Sequence, residues 1–137
     1  MIIRFDHENK RTQVSLRAGE ILKIVDKREQ DVEDQTAAWH PEFAEYMIES
    51  TPGSPFGCNM HDHDLISNFN KVENNMRMRR ADIEELLEPN ECLLTLSSFP
   101  RLGCPNFTYP MQKADANGLS GSIFFPDRAI GIHPRSK

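Results

Sequence analysis

Two short β-prone runs open the chain, Met1–Phe5 and Thr12–Leu16, with the polar stretch Asp6–Arg11 between them. Branched and aromatic residues bounded by turn formers predict a hairpin with a long, charged turn. Glu20–Arg28 carries Ile21, Leu22, Ile24 and Val25 behind Gly19, which predicts a short amphipathic helix. Glu29–Thr36 is acidic and polar and reads as loop. The apolar positions Phe43, Tyr46, Met47 and Ile48 follow within Pro41–Glu49, and Thr51-Pro52-Gly53-Ser54-Pro55 then stops any regular element. Gly57–Asn70 reads as a polar loop with charges or histidines in a row at His61–Asp64. Val72–Glu88 is the clearest helix: Val72, Met76, Ile83, Leu86 and Leu87 form one stripe, Arg80 lies four residues before Glu84, and Pro89 closes it. Cys92–Phe99 reads as a buried strand. Beyond it Pro100, Gly103, Pro105 and Pro110 punctuate an irregular segment, and Ile123-Phe124-Phe125 is the last apolar cluster. The mixture predicts an α+β fold, antiparallel strands with flanking helices, and no internal repeat is visible.

Composition narrows the function classes. The chain has 137 residues, the size of one domain, but only 38% are hydrophobic, which is lean for a core that closes on itself. A formal charge of -5 disfavours nucleic acid as a partner, because phosphate neutralisation needs a basic face. No window approaches a membrane span, and no apolar segment of a signal peptide follows Met1, so no membrane role is expected. Three cysteines, Cys58, Cys92 and Cys104, cannot all pair within the chain and match no standard zinc spacing, which points to a reducing, cytoplasmic compartment.

The residues that could carry chemistry each have a plain structural alternative. Glu49 ends an apolar stretch just before a tight turn; it is either a carboxylate presented to a cation such as Mg²⁺ or a rim glutamate in water. Glu73 opens the long helix, where an acid also complements the positive helix end. Cys58, His61 and His63, with Asp62 and Asp64, are the most metal-like cluster, but their spacing fits no recognised site and a solvated loop is the preferred reading. Arg101 and Arg135 sit in proline-bounded segments and carry forks suited to carboxylate or phosphate groups, although surface arginines are common. Nothing near Cys104 marks it as a nucleophile.

A series of motifs resembles one family. Phe5-Asp6-His7-Glu8-Asn9-Lys10 is similar to a segment near the start of the eukaryotic glutamate–cysteine ligase catalytic subunit. Trp39-His40-Pro41-Glu42-Phe43 follows, then Tyr46-Met47-Ile48-Glu49-Ser50-Thr51-Pro52-Gly53-Ser54-Pro55-Phe56-Gly57 and Val72-Glu73-Asn74-Asn75-Met76-Arg77-Met78-Arg79-Arg80. Ser98-Phe99-Pro100-Arg101-Leu102-Gly103-Cys104-Pro105, Phe124-Phe125-Pro126-Asp127 and His133-Pro134-Arg135 complete the series in the family's order.

The resemblance implies an ATP-dependent ligase that joins the γ-carboxyl of L-glutamate to the amine of L-cysteine, the first step of glutathione biosynthesis, through γ-glutamyl phosphate. It implies a glutamine-synthetase-like fold, Mg²⁺ with ATP, and a modifier subunit as partner of the parent protein. On this mapping Glu49 and, behind it, Glu73 become metal ligands, and Arg135 and Arg101 substrate-binding residues. The family's Gly-Asp-Glu-x-Glu-Tyr motif would precede Met1, and Arg128 stands where an acid is expected. Residues 1–137 then read as one incomplete segment of the catalytic domain, truncated at both ends and inactive alone. The alternative is a short non-catalytic module that pairs with the full-length ligase or its modifier subunit.

Overall fold

In a computed structural model of the chain, the described residues are 1–30, 33, 35–56 and 65–131. The opening hairpin is present: β1 (Ile2–Asp6) pairs antiparallel with β2 (Arg11–Ser15), Ile3 opposite Val14 and Asp6 opposite Arg11. The connection is only His7–Lys10, and Asp6 closes it by accepting from the backbone N–H of Asn9 at 3.1 Å and from its Nδ2. An aspartate bonding backbone further along is the chemistry of an Asx turn.

The helix α1 (Ala18–Gln30) buries Ala18, Ile21, Leu22 and Val25, one face at helical spacing, while Ile24 stays at the surface. It packs on β3 (Ala37–Pro41), which pairs antiparallel with β4 (Ile48–Pro52) in a separate two-stranded ribbon. β3 escapes the sequence reading because Ala37-Ala38 lacks strand propensity; its pairing with β4 and its packing on α1 override that. At the end of the ribbon Gly53 donates its N–H to the Thr36 carbonyl at 3.1 Å. A Cβ on Gly53 would lie 2.0 Å from the Gln35 carbonyl oxygen, so the close backbone approach needs glycine here. Gly53→Ala is therefore expected to destabilise the chain by about 2 kcal/mol through overpacking against backbone. A lower urea midpoint at unchanged slope is the readout.

Helix α2 spans Leu65–Glu84, not Val72–Glu88. The polar segment read as loop up to Asn70 thus contributes the helix's first turns. Two contacts from its middle hold it to the ribbon: Asn75 Nδ2 donates to the Thr36 carbonyl at 2.8 Å, and Arg79 donates to the carbonyl and, at 2.9 Å, to the hydroxyl of Ser50. At the other end the chain tightens into i→i+3 turns, with the N–H of Leu86 on the Ile83 carbonyl and that of Leu87 on the Glu84 carbonyl. Leu86 and Leu87 still pack on the core, but from that turn. Met76, placed on the apolar stripe by its spacing, is exposed.

The predicted strand Cys92–Phe99 is reduced to β5 (Glu91–Leu93), antiparallel to β1. Past the paired residues, Met1 and Leu94 exchange N–H···O bonds at 2.8 and 2.9 Å. Leu94 and Leu96 are exposed, and Phe99 returns to the core. β6 (Thr108–Tyr109) adds to β2 in parallel, a departure from all-antiparallel pairing, and gives the order β5-β1-β2-β6. A 3₁₀ turn at Asp127–Ala129 follows. The sheet is covered on both faces. Ile2 packs with α1, Trp39 and Ile83; Ile3 and Val14 pack with Tyr46, Phe99, Phe107 and Ala129. The α+β expectation holds, with mixed helices and a sheet rich in antiparallel pairs.

Candidate functional site

Glu49 stands on β4 opposite His40 of β3. Side chains alternate along a strand, and Ser50 turns its hydroxyl to Arg79 of α2, so Glu49 points away from α2 and into solvent. Its carboxylate has no hydrogen-bond partner among the described residues. Glu73 lies elsewhere. Asn75 and Arg79 occupy the side of α2 that meets the ribbon, whereas Glu73 is exposed and its Oε1 accepts from Arg77 Nε at 3.0 Å and from a terminal nitrogen at 2.8 Å. The two candidate carboxylates are not brought together. Among the described residues no three His, Cys, Asp or Glu side chains are gathered to hold a metal ion. Arg135 and the Cys58, His61–Asp64 cluster lie outside the described residues.

Arg101 occupies the turn after Phe99, where the N–H of Leu102 bonds the Phe99 carbonyl and Gly103 takes φ 77°. Phe99 anchors this turn in the core. The turn brings Arg101 to the tip of the β1–β2 hairpin, where an open groove is lined by Phe5, Asp6, His7, Lys10, Arg11, Thr12 and Arg101. A resemblance had tied the hairpin motif and the Ser98–Pro105 motif to the same protein; the fold puts them against each other.

A polar cluster that sequence reading missed lies farther along the sheet, on the face that Arg4, Gln13 and Glu91 share. The side chain of Glu91 on β5 is 1% exposed, and its carboxylate accepts from Ser15 Oγ at 2.5 Å, Arg17 at 2.6 Å and the Glu88 N–H at 3.0 Å. Next to it Gln13 is buried and donates to the carbonyls of Asn106 and Thr108 at 3.1 and 2.9 Å. Arg4 lies over the Tyr109 ring, 3.7 Å from its centroid. The bonds to Ser15, Arg17, Asn106 and Thr108 each span more than 70 residues and leave no local spacing to read.

Two carboxyls are held below the ordinary aspartate value of 3.8. Asp6 is stabilised first by the Asn9 side-chain amide and backbone N–H and then by Arg11. Asp127 is stabilised by the Ser120 hydroxyl and by the N–H groups of Ser120 and Leu119. A folded-state value below the unfolded one adds stability above that unfolded value and loses it as pH falls through the folded value. Thermal unfolding followed from about pH 6 to about pH 2 is expected to show stability falling below about pH 4. Asp6→Asn and Asp127→Asn should each flatten that slope.

Comparison with known proteins places the chain. The sequence profile described as glutamate-cysteine ligase matches residues 1–137. The chain is 44% identical over 138 residues to the glutamate–cysteine ligase catalytic subunit of Rattus norvegicus, across 98% of the chain and 21% of that relative. Identity to the Homo sapiens catalytic subunit is 46% over the same shares. With the glutamate–cysteine ligase of Schizosaccharomyces pombe it is 43% over 115 residues, 83% of the chain and 16% of the relative. The chain thus spans about a fifth of the length of the mammalian relatives it matches. No helix among the described residues is long and apolar enough to cross a membrane. On the profile match and these identities, the chain belongs to the glutamate–cysteine ligase family.

Proposed function

We propose that the chain supplies part of the catalytic domain of an ATP-dependent ligase that joins the γ-carboxyl of L-glutamate to the amine of L-cysteine. The observation that carries this reading is the 46% identity across 98% of the chain to a protein named for that activity. In the reaction, the γ-carboxylate attacks the terminal phosphorus of ATP and releases ADP. The cysteine amine then attacks the γ-glutamyl phosphate, and phosphate leaves as the amide forms. The antiparallel-rich sheet supports a glutamine-synthetase-like frame for this chemistry.

Mg²⁺ would neutralise the phosphate charge of the nucleotide. Magnesium is commonly held by one or two carboxylates, with waters and substrate phosphates completing its shell, and the exposed carboxylate of Glu49, without a hydrogen-bond partner among the described residues, suits one such position. Glu73 is a weaker ligand, since Arg77 already engages its oxygen. Arg101, and Arg135 beyond the described residues, are the proposed substrate-binding cations, directed at carboxylate or phosphate groups. The longer protein would work in the cytoplasm with its modifier subunit. The unpaired thiols of Cys92 and Cys104 suit a reducing compartment.

Alone, the chain is expected to form no γ-glutamylcysteine from ATP, glutamate and cysteine. Grafted in place of the matching fifth of the human catalytic subunit, it should support turnover, and Glu49→Gln in that chimera should lower kcat at least tenfold. A folded but inactive chimera would count against the reading.

The exposed Leu94 and Leu96, beyond the end of the β1–β5 ladder, support a second reading as a non-catalytic module pairing with a full-length ligase or its modifier subunit. Titration of the chain against each purified partner decides it; no saturable binding to either removes this reading.

A further inference from the structure

The chain is acidic overall, yet the groove between the β1–β2 hairpin and the Phe99–Cys104 turn collects Lys10, Arg11 and Arg101 around a single carboxylate, Asp6. Glu8, the other acid of the turn, does not line it. Asp6 is already occupied: Asn9 donates to both its oxygens, and Arg11 Nε donates to Oδ2 at 2.8 Å. That bond fixes the Arg11 guanidinium through Nε alone. Its two terminal nitrogens have no acceptor among the described residues. Arg101 gives one terminal nitrogen to the Pro105 carbonyl at 3.3 Å and keeps its remaining N–H groups. Lys10, held at φ 49°, meets no carboxylate within ion-pair distance among the described residues. Three cations therefore converge on one open concavity with only one of them neutralised. Like charges are not gathered in this way at no cost, and an anion between them would relieve the repulsion.

We infer that this groove binds an oxyanion, the phosphate or carboxylate group of a small ligand, between the terminal nitrogens of Arg11 and Arg101 and the ammonium of Lys10. Guanidinium forks match the paired oxygens of such groups, and Arg11 is pre-oriented by Asp6. Phe5 is partly exposed and lies stacked near His7, ring centroids 6.2 Å apart, so the floor beside the cations is apolar and can support the body of the ligand. The inference deepens, and for Arg101 rests on, the substrate-binding role proposed above; its test reads binding rather than turnover, so its failure is distinguishable from that of the ligase reading.

The full chain is titrated with inorganic phosphate, pyrophosphate and glutarate while backbone amide resonances are followed. Saturable binding is expected, with shifts confined to the His7–Arg11 turn and the Arg101–Gly103 turn. Arg101→Gln and Lys10→Asn should each weaken it about tenfold, near 1.4 kcal/mol, whereas Arg77→Gln on the outer side of α2 should leave it unchanged. Asparagine tolerates the left-handed backbone at position 10, so Lys10→Asn keeps the test decisive even where Arg101→Gln fails to fold. Binding of the phosphates alone identifies a phosphoryl group as the ligand's anion, binding of glutarate alone a carboxylate, and binding of both a general oxyanion site. Non-saturable shifts spread over all basic residues, equal weakening by Arg77→Gln, or no response to any probe would overturn the inference.

Discussion

Replacing Arg17 with methionine is expected to lower the stability of the chain by about 3 kcal/mol, one of the two largest single-residue effects foreseen for this fold. Arg17 sits between β2 and α1 and reaches across to the segment that follows α2. It donates to Glu91 at 2.6 Å, to the Leu86 carbonyl at 3.5 Å and to Glu20 at 3.2 Å. The Glu91 side chain is 1% exposed, so losing the guanidinium leaves an uncompensated buried carboxylate with only Ser15 and the Glu88 N–H to support it. The pair with the exposed Glu20 adds little, because water screens it. The cost of Arg17→Met thus comes from Glu91, and a second substitution should expose that origin. In Arg17→Met/Glu91→Gln the amide oxygen takes the place of Oε2 and accepts from the Glu88 N–H, while the amide nitrogen donates to Ser15 Oγ and the charge is gone. The double variant should recover more than half of the loss in urea unfolding, a coupling that independent sites would not show. Additive losses would mean that Arg17 matters through its packing.

Local patterns were a good guide where the stabilising contacts are themselves local. The hairpin follows from its two β-prone runs, and α1 from the spacing of Ile21, Leu22 and Val25, all of which are buried. Reading failed where the partner is remote. Cys92–Phe99 has the composition of a buried strand, but a strand needs a neighbour, and the ladder with β1 takes in only Glu91–Leu93. The first turns of α2 have the polar composition of a loop, and the contacts that hold the helix to the ribbon come from farther along it, at Asn75 and Arg79.

The candidate site shows the same division. The motifs that identified the family turn out to be rich in structural devices. Gly53 permits a backbone crossing, Gly103 supplies a left-handed turn, Phe99 anchors that turn, and Asp6 and Asp127 organise loops through backbone N–H groups. Such residues are motif-like because geometry allows few substitutes. Glu49, by contrast, has no described structural partner, and a free carboxylate on a strand is the part of its motif that packing leaves unexplained. The convergence of Lys10, Arg11 and Arg101 could not be read at all, since Arg101 is some 90 residues from the hairpin and reaches it only through the Phe99 anchor.

Truncating Trp39 to alanine should cost about 4 kcal/mol, enough to remove much of the margin of a domain whose total stability is typically about 5–15 kcal/mol. Trp39 is the one tryptophan of the chain, and it lies where α1, α2 and β3 meet. Its ring packs in the cluster with Ile2, Ile21, Leu22 and Ile83 and is only 8% exposed. No neighbouring side chain can swing in to fill the space, because Ile21 and Ile83 are fixed on helices and Ile2 on the central strand. Trp39→Phe is expected to behave quite differently. The indole N–H is buried without a protein acceptor among the described residues, so replacing it breaks no protein hydrogen bond. What remains is the loss of part of one ring, and the cost should stay near about 1 kcal/mol. Both variants abolish the intrinsic tryptophan signal, so far-ultraviolet circular dichroism in urea is the measurement. Alanine and phenylalanine variants of similar stability would show that the three elements do not depend on this ring, and that the ribbon is held mainly by the Asn75 and Arg79 contacts.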